Sequence, residues 1–258
     1  MIGVYFSGTG NTKYCVEKFI TQMNEKVMVY SIENVETISK IKEHSTIVLG
    51  YPIYYSNLPK IVRDFIVNNS DLWKNKKVFI IATMGLFSGD GTGLSARLLR
   101  KYGAKVIGGL HLKMPDCIGD DKKLKKSISE NRKIIKEAEK KINLATTKIK
   151  QNIPVREGLG FMSHLAGLFG QRLYFYNKTA NYTDKLKINQ QRCIGCGKCI
   201  SLCPMKNLVL KEGCAESTGH CTMCYRCISN CPQKAITLLG KEVYEQCSIE
   251  KYLGGGNE

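Results

Sequence analysis

With 258 residues, 43% of them hydrophobic and 24% charged, the chain is long enough for one full-sized core and a second, smaller one. It has no run of 18 or more uncharged apolar residues, and it starts MIGVYFSGTG without a basic stretch or a small-residue cleavage site. Neither a membrane span nor a secretory signal is therefore expected, and the predicted location is cytoplasmic. The formal charge of +17 divides into +12 over residues 1–150 and +5 over 151–258; it attracts acidic redox proteins, nucleic acid or anionic lipid without choosing among them.

Over the first 115 residues, short apolar β-rich runs alternate with helical patterns, as a parallel sheet with crossover helices requires. Strands are predicted at Ile2–Phe6, Val27–Ile32, Thr46–Tyr51, Lys77–Thr83 and Lys105–Leu112, with helices at Thr12–Asn24, Leu58–Val67 and Gly93–Tyr102. That is an α/β fold with a five-stranded, doubly wound parallel sheet. From Lys122 to Lys150, the apolar residues Leu124, Ile128, Ile135, Ala138, Ile142, Ala145 and Ile149 recur on one helix face. Eleven Lys/Arg against three Glu occupy the rest of that segment, which reads as a solvated helix packed on the sheet rather than a docking surface. Residues 153–188 break the rhythm and are expected to connect two domains. Their apolar stretch Phe161–Tyr176 is interrupted by His164, Gln171 and Arg172, is too short to span a bilayer, and is expected to pack against a domain.

Directly after the first predicted strand comes Ser7-Gly8-Thr9-Gly10-Asn11-Thr12, leading into a helix. Glycines let backbone N–H groups converge, hydroxyls add donors, and the helix N-terminus supplies partial positive charge, so a phosphate monoester fits there. Neither a triphosphate-binding nor a dinucleotide-binding glycine pattern is present, which leaves a mononucleotide. These residues resemble the hydroxyl-rich first loop of flavodoxins, and the similarity runs over about residues 1–150. The resemblance implies FMN as cofactor, with two further loops at the ends of the third and fourth strands. One holds Pro52, Ile53, Tyr54, Tyr55, Ser56 and Asn57; the other holds Thr83, Met84, Gly85, Leu86, Phe87, Gly89 and Asp90. By resemblance, the former contacts the isoalloxazine edge, with Tyr54 or Tyr55 on a ring face, and the latter reaches the pyrimidine side. Typical flavodoxins are acidic around the flavin, whereas this chain is basic, so their partner preference does not carry over.

Ten of the twelve cysteines fall between Cys193 and Cys247, which points to metal rather than disulfides. Cys193, Cys196, Cys199 and Cys203, followed by Pro204, repeat as Cys221, Cys224, Cys227 and Cys231, followed by Pro232; both copies read C-x2-C-x2-C-x3-C-P. Three cysteines two residues apart wrap three corners of a cubane, with Gly195 and Gly197 permitting the tight backbone, and the fourth ligand comes from the other copy. One [4Fe–4S] cluster is thus assigned to Cys193, Cys196, Cys199 and Cys231, the second to Cys221, Cys224, Cys227 and Cys203. Paired zinc knuckles do not need a triple comb with C-P twice. The run resembles the two-cluster bacterial ferredoxin fold, a small α+β domain, over about Leu186–Leu239. Cys15, Cys117, Cys214 and Cys247 read as ordinary thiols, and His44, His111, His164 and His220 form no metal pattern.

The predicted organisation is a flavodoxin-like FMN-binding domain (1–152), a connector (153–185), a two-cluster ferredoxin-like domain (186–243) and a C-terminal tail (244–258). The whole resembles the flavodoxin–ferredoxin fusion proteins of anaerobic microbes. Clusters pass single electrons while FMN takes one or two, so the expected function is electron transfer that couples the two regimes, with redox proteins, acidic ones included, as partners. The sequence admits two further readings. A flavin-dependent reductase of a small-molecule acceptor would need a proton donor, for which only Tyr54, Tyr55 and Asp90 offer themselves. Nucleic-acid binding is not expected, because the basic residues concentrate on an amphipathic helix without interleaved aromatics.

Overall fold

The computed structural model describes residues 1–23, 26–55, 57–86, 89–160, 163 and 185–254. They divide into two compact units: Met1–Ser7, Asn11–Pro115 and Lys133–Phe175 form the first; Gly8–Gly10, Asp116–Arg132 and Tyr176–Glu258 form the second.

In the first unit, five strands, β1 (Ile2–Tyr5), β2 (Val29–Ser31), β3 (Thr46–Pro52), β4 (Lys77–Met84) and β5 (Lys105–Lys113), pair in parallel in the order β2-β1-β3-β4-β5. The chain leaves β1 in one direction to form β2 and in the other to form β3, so a crevice opens beyond the carboxyl ends of β1 and β3. Central strands of such a sheet are covered on both faces and must be apolar throughout. Accordingly, Ile47 to Tyr51 of β3 and Val78 to Thr83 of β4 are buried without a break, and only the three-residue edge strand β2 is half-buried along its length. The predicted strands are thus found, four of them trimmed or extended by one residue and β2 shortened from Val27–Ile32 to Val29–Ser31.

Helices α1 (Asn11–Met23), α2 (Thr37–Glu43), α3 (Lys60–Asn68), α4 (Gly91–Lys101) and α5 (Ile128–Lys150) follow or join the strands. In α1, Cys15, Val16, Phe19 and Ile20 face the sheet, and Phe19 stacks on Phe79 of β4 with ring centroids 4.8 Å apart. Helix α2 is not anticipated from sequence because it buries only Thr37 and Ile41, too few positions to show a period. Helix α5 begins later than the apolar pattern suggests. Ser127 and Glu130 form a reciprocal cap there: the Ser127 hydroxyl accepts from the Glu130 N–H at 3.2 Å, and the Glu130 carboxylate accepts from the Ser127 N–H at 2.8 Å. Ile128 is accordingly 45% exposed and Leu124 lies on a separate short turn, whereas Ile135, Ala138, Ile142 and Ala145 are buried as predicted.

The first residues of the expected connector add to the edge of β5. The Gly109 N–H donates to the Val155 carbonyl and the Glu157 N–H to the Gly109 carbonyl, both at 2.9 Å, so residues 155–157 continue the sheet's hydrogen bonding beyond its last strand. The rest of the connector, with the apolar stretch 161–176, lies outside the described residues apart from residue 163.

Among its described residues the second unit has two small antiparallel sheets, β6 (Lys187–Ile188) with β9 (Ile236–Thr237) and β7 (Leu208–Lys211) with β8 (Cys214–Ser217), and three five-residue helices, α6 (Lys198–Leu202), α7 (Arg226–Asn230) and α8 (Ile249–Leu253). Helix α8 lies in the predicted tail and buries Ile249 and Tyr252. The buried carboxylate of Asp120 ties this unit together. Its Oδ2 accepts from the N–H groups of Leu238, Leu239 and Gly240 at 2.6, 2.9 and 3.1 Å, and its Oδ1 accepts from the Tyr225 hydroxyl at 3.0 Å.

Candidate functional site

The crevice at the ends of β1, β3 and β4 collects the three loops singled out in the sequence. Helix α1 starts at Asn11 with no acidic residue in its first turn, which leaves its N-terminal partial charge available to an anion. Gly10 adopts a left-handed backbone at φ 92°, a conformation open to glycine at no cost. Asn11 donates from Nδ2 to the Pro115 carbonyl at 2.8 Å, and its buried Oδ1 has no partner among the described residues. An unsatisfied acceptor at a helix start suits a hydroxyl donor such as a ribityl O–H, while a phosphate beside it would be met by the N–H groups and partial positive charge of the helix N-terminus; on this ground the loop fits a ribityl phosphate. Thr12 is buried, and its hydroxyl pairs with that of Thr83 at 2.8 Å, so both brace the loop ends from within.

The second loop is closed by two backbone bonds between Tyr54 and Asn57, at 3.2 and 2.9 Å, with Tyr55 turned left-handed between them at φ 49°. It is tied to the neighbouring strand by the Ile53 N–H, which donates to the Thr83 carbonyl at 2.8 Å. Pro52, Ile53, Tyr54, Tyr55 and Asn57 are half-buried at the crevice; Ser56 lies outside the described residues. In the third loop, Met84, Gly85 and Gly89 are half-buried and Leu86 is exposed, while Phe87 lies outside the described residues. Asp90 is fully buried and ion-paired with Arg97 at 2.7 Å. Tyr51 fixes the start of α4 behind this loop by hydrogen bonds to the Gly91 carbonyl at 2.8 Å and the Ser95 hydroxyl at 2.6 Å. His111 Nε2 accepts from the Thr92 N–H at 3.2 Å, and burial pushes its pKa down, so a histidine without a sequence pattern serves here to hold the helix start.

The cysteines gather into two cavities. Cys193, Cys196, Cys199 and Cys231 line one, and Cys203, Cys221, Cys224 and Cys227 line the other. Each set draws three thiols from one comb and one from the other. Among the described residues no three His, Cys, Asp or Glu side chains converge on a single ion; each four-thiol set instead surrounds a space, as an inorganic cluster requires. Gly195 and Gly197 are left-handed at φ 63° and 73°, as the comb was expected to need, but the matching positions of the second comb hold Met223 and Tyr225 at φ 58° and 59°. Two bulky residues in that region cost about 1–3 kcal/mol each; the buried Met223 and the Tyr225–Asp120 hydrogen bond hold them there.

Backbone N–H groups point at the sulfurs in matching places: Asn207 N–H to Cys203 Sγ and Ala235 N–H to Cys231 Sγ, each at 3.3 Å and four residues past its cysteine. The Cys193 thiol is drawn below its ordinary range, first by the Ala215 N–H and then by that of Gly195. Burial acts oppositely on Cys221, Cys227 and Cys224, the last pushed up to about 12. Those thiols keep their protons until a cationic group supplies the compensating charge, so loading the second cavity releases protons. Cys15 and Cys247 are buried and Cys117 and Cys214 half-buried, all as free thiols. Lys125 sits 3.3 Å from Cys247 Sγ and 3.3 Å from Glu245, a grouping the sequence did not reveal because its members are 120 residues apart.

A doubly wound sheet with a hydroxyl loop at its switch point, on one chain with two four-cysteine cavities, defines an electron-transfer flavo-iron-sulfur protein. Residues 2–106 match the model of a flavodoxin domain and residues 185–232 that of a 4Fe-4S dicluster domain. The chain is a flavodoxin–ferredoxin fusion, and its cofactors are FMN and two [4Fe–4S] clusters. Among solved structures, two-electron reduced Megasphaera elsdenii flavodoxin is 25% identical, over 45% of this chain and 89% of that one, with a TM-score of 0.41. A flavodoxin from the domain Archaea is 21% identical over 58% and 97% (TM-score 0.41), and oxidised Flavodoxin 2 from Bacillus cereus 16% over 58% and 97% (TM-score 0.44). No curated protein matches the chain. No helix among the described residues is long and apolar enough to cross a membrane.

Proposed function

We propose that the protein is a cytoplasmic electron carrier that joins single-electron transfer through two clusters to one- or two-electron chemistry at FMN. The observation that supports this most directly is the sorting of eight cysteines into two cavities of four, each completed by the other comb. When bound, the clusters exchange one electron each and the flavin one or two. In this reading Cys193, Cys196, Cys199 and Cys231 hold one cluster, and Cys221, Cys224, Cys227 and Cys203 the other. The loop from Ser7 to Thr12 holds the flavin phosphate with its backbone N–H groups, and the loops Pro52–Asn57 and Thr83–Asp90 flank the ring. Asp90 is fully buried and ion-paired with Arg97, so its carboxyl is turned to the protein and not to a substrate, which favours the carrier over a small-molecule reductase.

Anaerobic reductive titration tests the coupling. Protein with about eight irons and one FMN is expected to take up about four electrons per chain, two in the clusters and two in the flavin. Eight irons without flavin, or an uptake of only two electrons, overturns it. The loop assignment has its own check in Thr9, which is half-buried. Thr9→Glu places a carboxylate where the phosphate is held, and FMN affinity is expected to fall at least about tenfold with iron content unchanged. Equilibrium dialysis against FMN reads this directly, and unaltered affinity would remove the phosphate from that loop.

A further inference from the structure

The two cysteine cavities differ in their access to solvent. Three of the four cysteines of the second set, Cys221, Cys224 and Cys227, are buried, whereas Cys196 of the first set is exposed. The first cavity is also rimmed by Ile194 and Leu210, which are 62% and 54% exposed. Leu210 itself lines the first cavity, two residues along β7 from the buried Leu208, which lines the other. Two bare aliphatic side chains beside the exposed Cys196 form a small apolar patch on the rim of the first cavity.

The surroundings of this patch are basic. Residues 185–211 contain six Lys/Arg and no Asp or Glu; of these Lys211 is paired with Glu216 at 3.5 Å, and Lys198 lines the same cavity as Cys196. Lys187, Arg192, Lys234 and Lys241, against the single carboxylate of Glu242, line a groove that shares Ala235 with that cavity. An apolar centre with a cationic border fits a partner with the reverse pattern, a carboxylate ring around its own apolar centre. We infer that the rim of the first cavity, centred on Ile194, Cys196 and Leu210, is the docking surface for a small acidic electron-transfer protein, with Lys198 and the Lys187/Arg192/Lys234/Lys241 groove receiving its carboxylates. This rests on the carrier reading and adds to it the port and the kind of partner. One electron passes per encounter between the partner's reduced centre and the cluster held by Cys193, Cys196, Cys199 and Cys231, the partner being oxidised as that cluster is reduced.

The test uses the full, cofactor-loaded chain with a purified acidic two-cluster ferredoxin as probe. Zero-length carbodiimide coupling joins lysine amines to carboxylates in contact, and the cross-links are expected at Lys187, Lys198, Lys234 or Lys241. In stopped-flow mixing with the reduced probe, Ile194→Glu and Leu210→Glu are each expected to lower the second-order rate about tenfold, and added salt to slow the unaltered chain. Lys136→Glu on the exposed face of α5 is expected to keep the original rate. Cross-links confined to the α5 lysines, or unchanged rates in both Glu variants, overturn the assignment. So does a homodimer in sedimentation that Leu210→Glu dissociates, since the occupant is then a second copy. Iron content and direct reduction by dithionite, measured on the same variants, separate loss of docking from failure of the carrier reading, because those two readouts do not involve the partner.

Discussion

Cys196→Ala is expected to lower the iron content from about eight to about four per chain and to abolish one of two cluster signals in electron paramagnetic resonance. The informative comparison is with the fourth cysteines. Cys231 lies in the second comb yet lines the cavity of Cys193, Cys196 and Cys199, while Cys203 lies in the first comb and lines the cavity of Cys221, Cys224 and Cys227. Cys231→Ala is therefore expected to remove the same signal as Cys196→Ala, and Cys203→Ala the other one. Each comb holding its own cluster would produce the opposite pairing and overturn the interleaved assignment. Loss of either cluster also removes a cross-link between the two combs, so the second unit is expected to unfold more readily in all three variants.

Asp120→Ala is expected to lower the unfolding free energy of the second unit by about 3 kcal/mol. Three backbone N–H groups and one hydroxyl lose a buried, charged acceptor, and each such bond contributes about 1.5–3 kcal/mol before relaxation and entering water offset part of it. Relief by water is restricted because the chain is closely packed here: a Cβ on Gly240 would lie 1.7 Å from the Asp120 carbonyl oxygen. Asp120→Asn keeps one acceptor oxygen and is expected to fall between. Guanidinium unfolding followed by cluster absorbance measures the difference. A midpoint equal to that of the unaltered chain would mean that the turn after β9 and the Tyr225 backbone hold themselves.

The same residue shows where sequence reasoning stops. Asp120 sits in no motif, and its partners lie about 105 to 120 positions away. The segment Asp116–Arg132 reads as the lead-in to a basic helix, yet it belongs with the cysteine-bearing unit. Gly8–Gly10 likewise fall in that unit: a Cβ at Gly8 would lie 2.0 Å from the Cys224 carbonyl oxygen, and the Thr9 carbonyl accepts from the Ile249 N–H at 3.0 Å. The glycine at position 8, expected from the loop's phosphate chemistry alone, is required also by that close approach. Likewise, the left-handed turns of the second comb carry no glycine to announce them.

What the sequence determined by itself is whatever repeats at short range. Unbroken apolar runs specify buried parallel strands, because a strand covered on both faces has no polar side. The steps of α5 between Ile135 and Ala145 specify one buried face, and the spacing within each comb places three thiols around one space. The tertiary structure alone decided the start of α5, the short helix at Thr37–Glu43, the conformations of Met223 and Tyr225, the acceptor role of Asp120 and the exposure of one cysteine set relative to the other. These depend on which groups from distant parts of the chain satisfy a donor, fill a cavity or cover a face, and such contacts leave no local period to read.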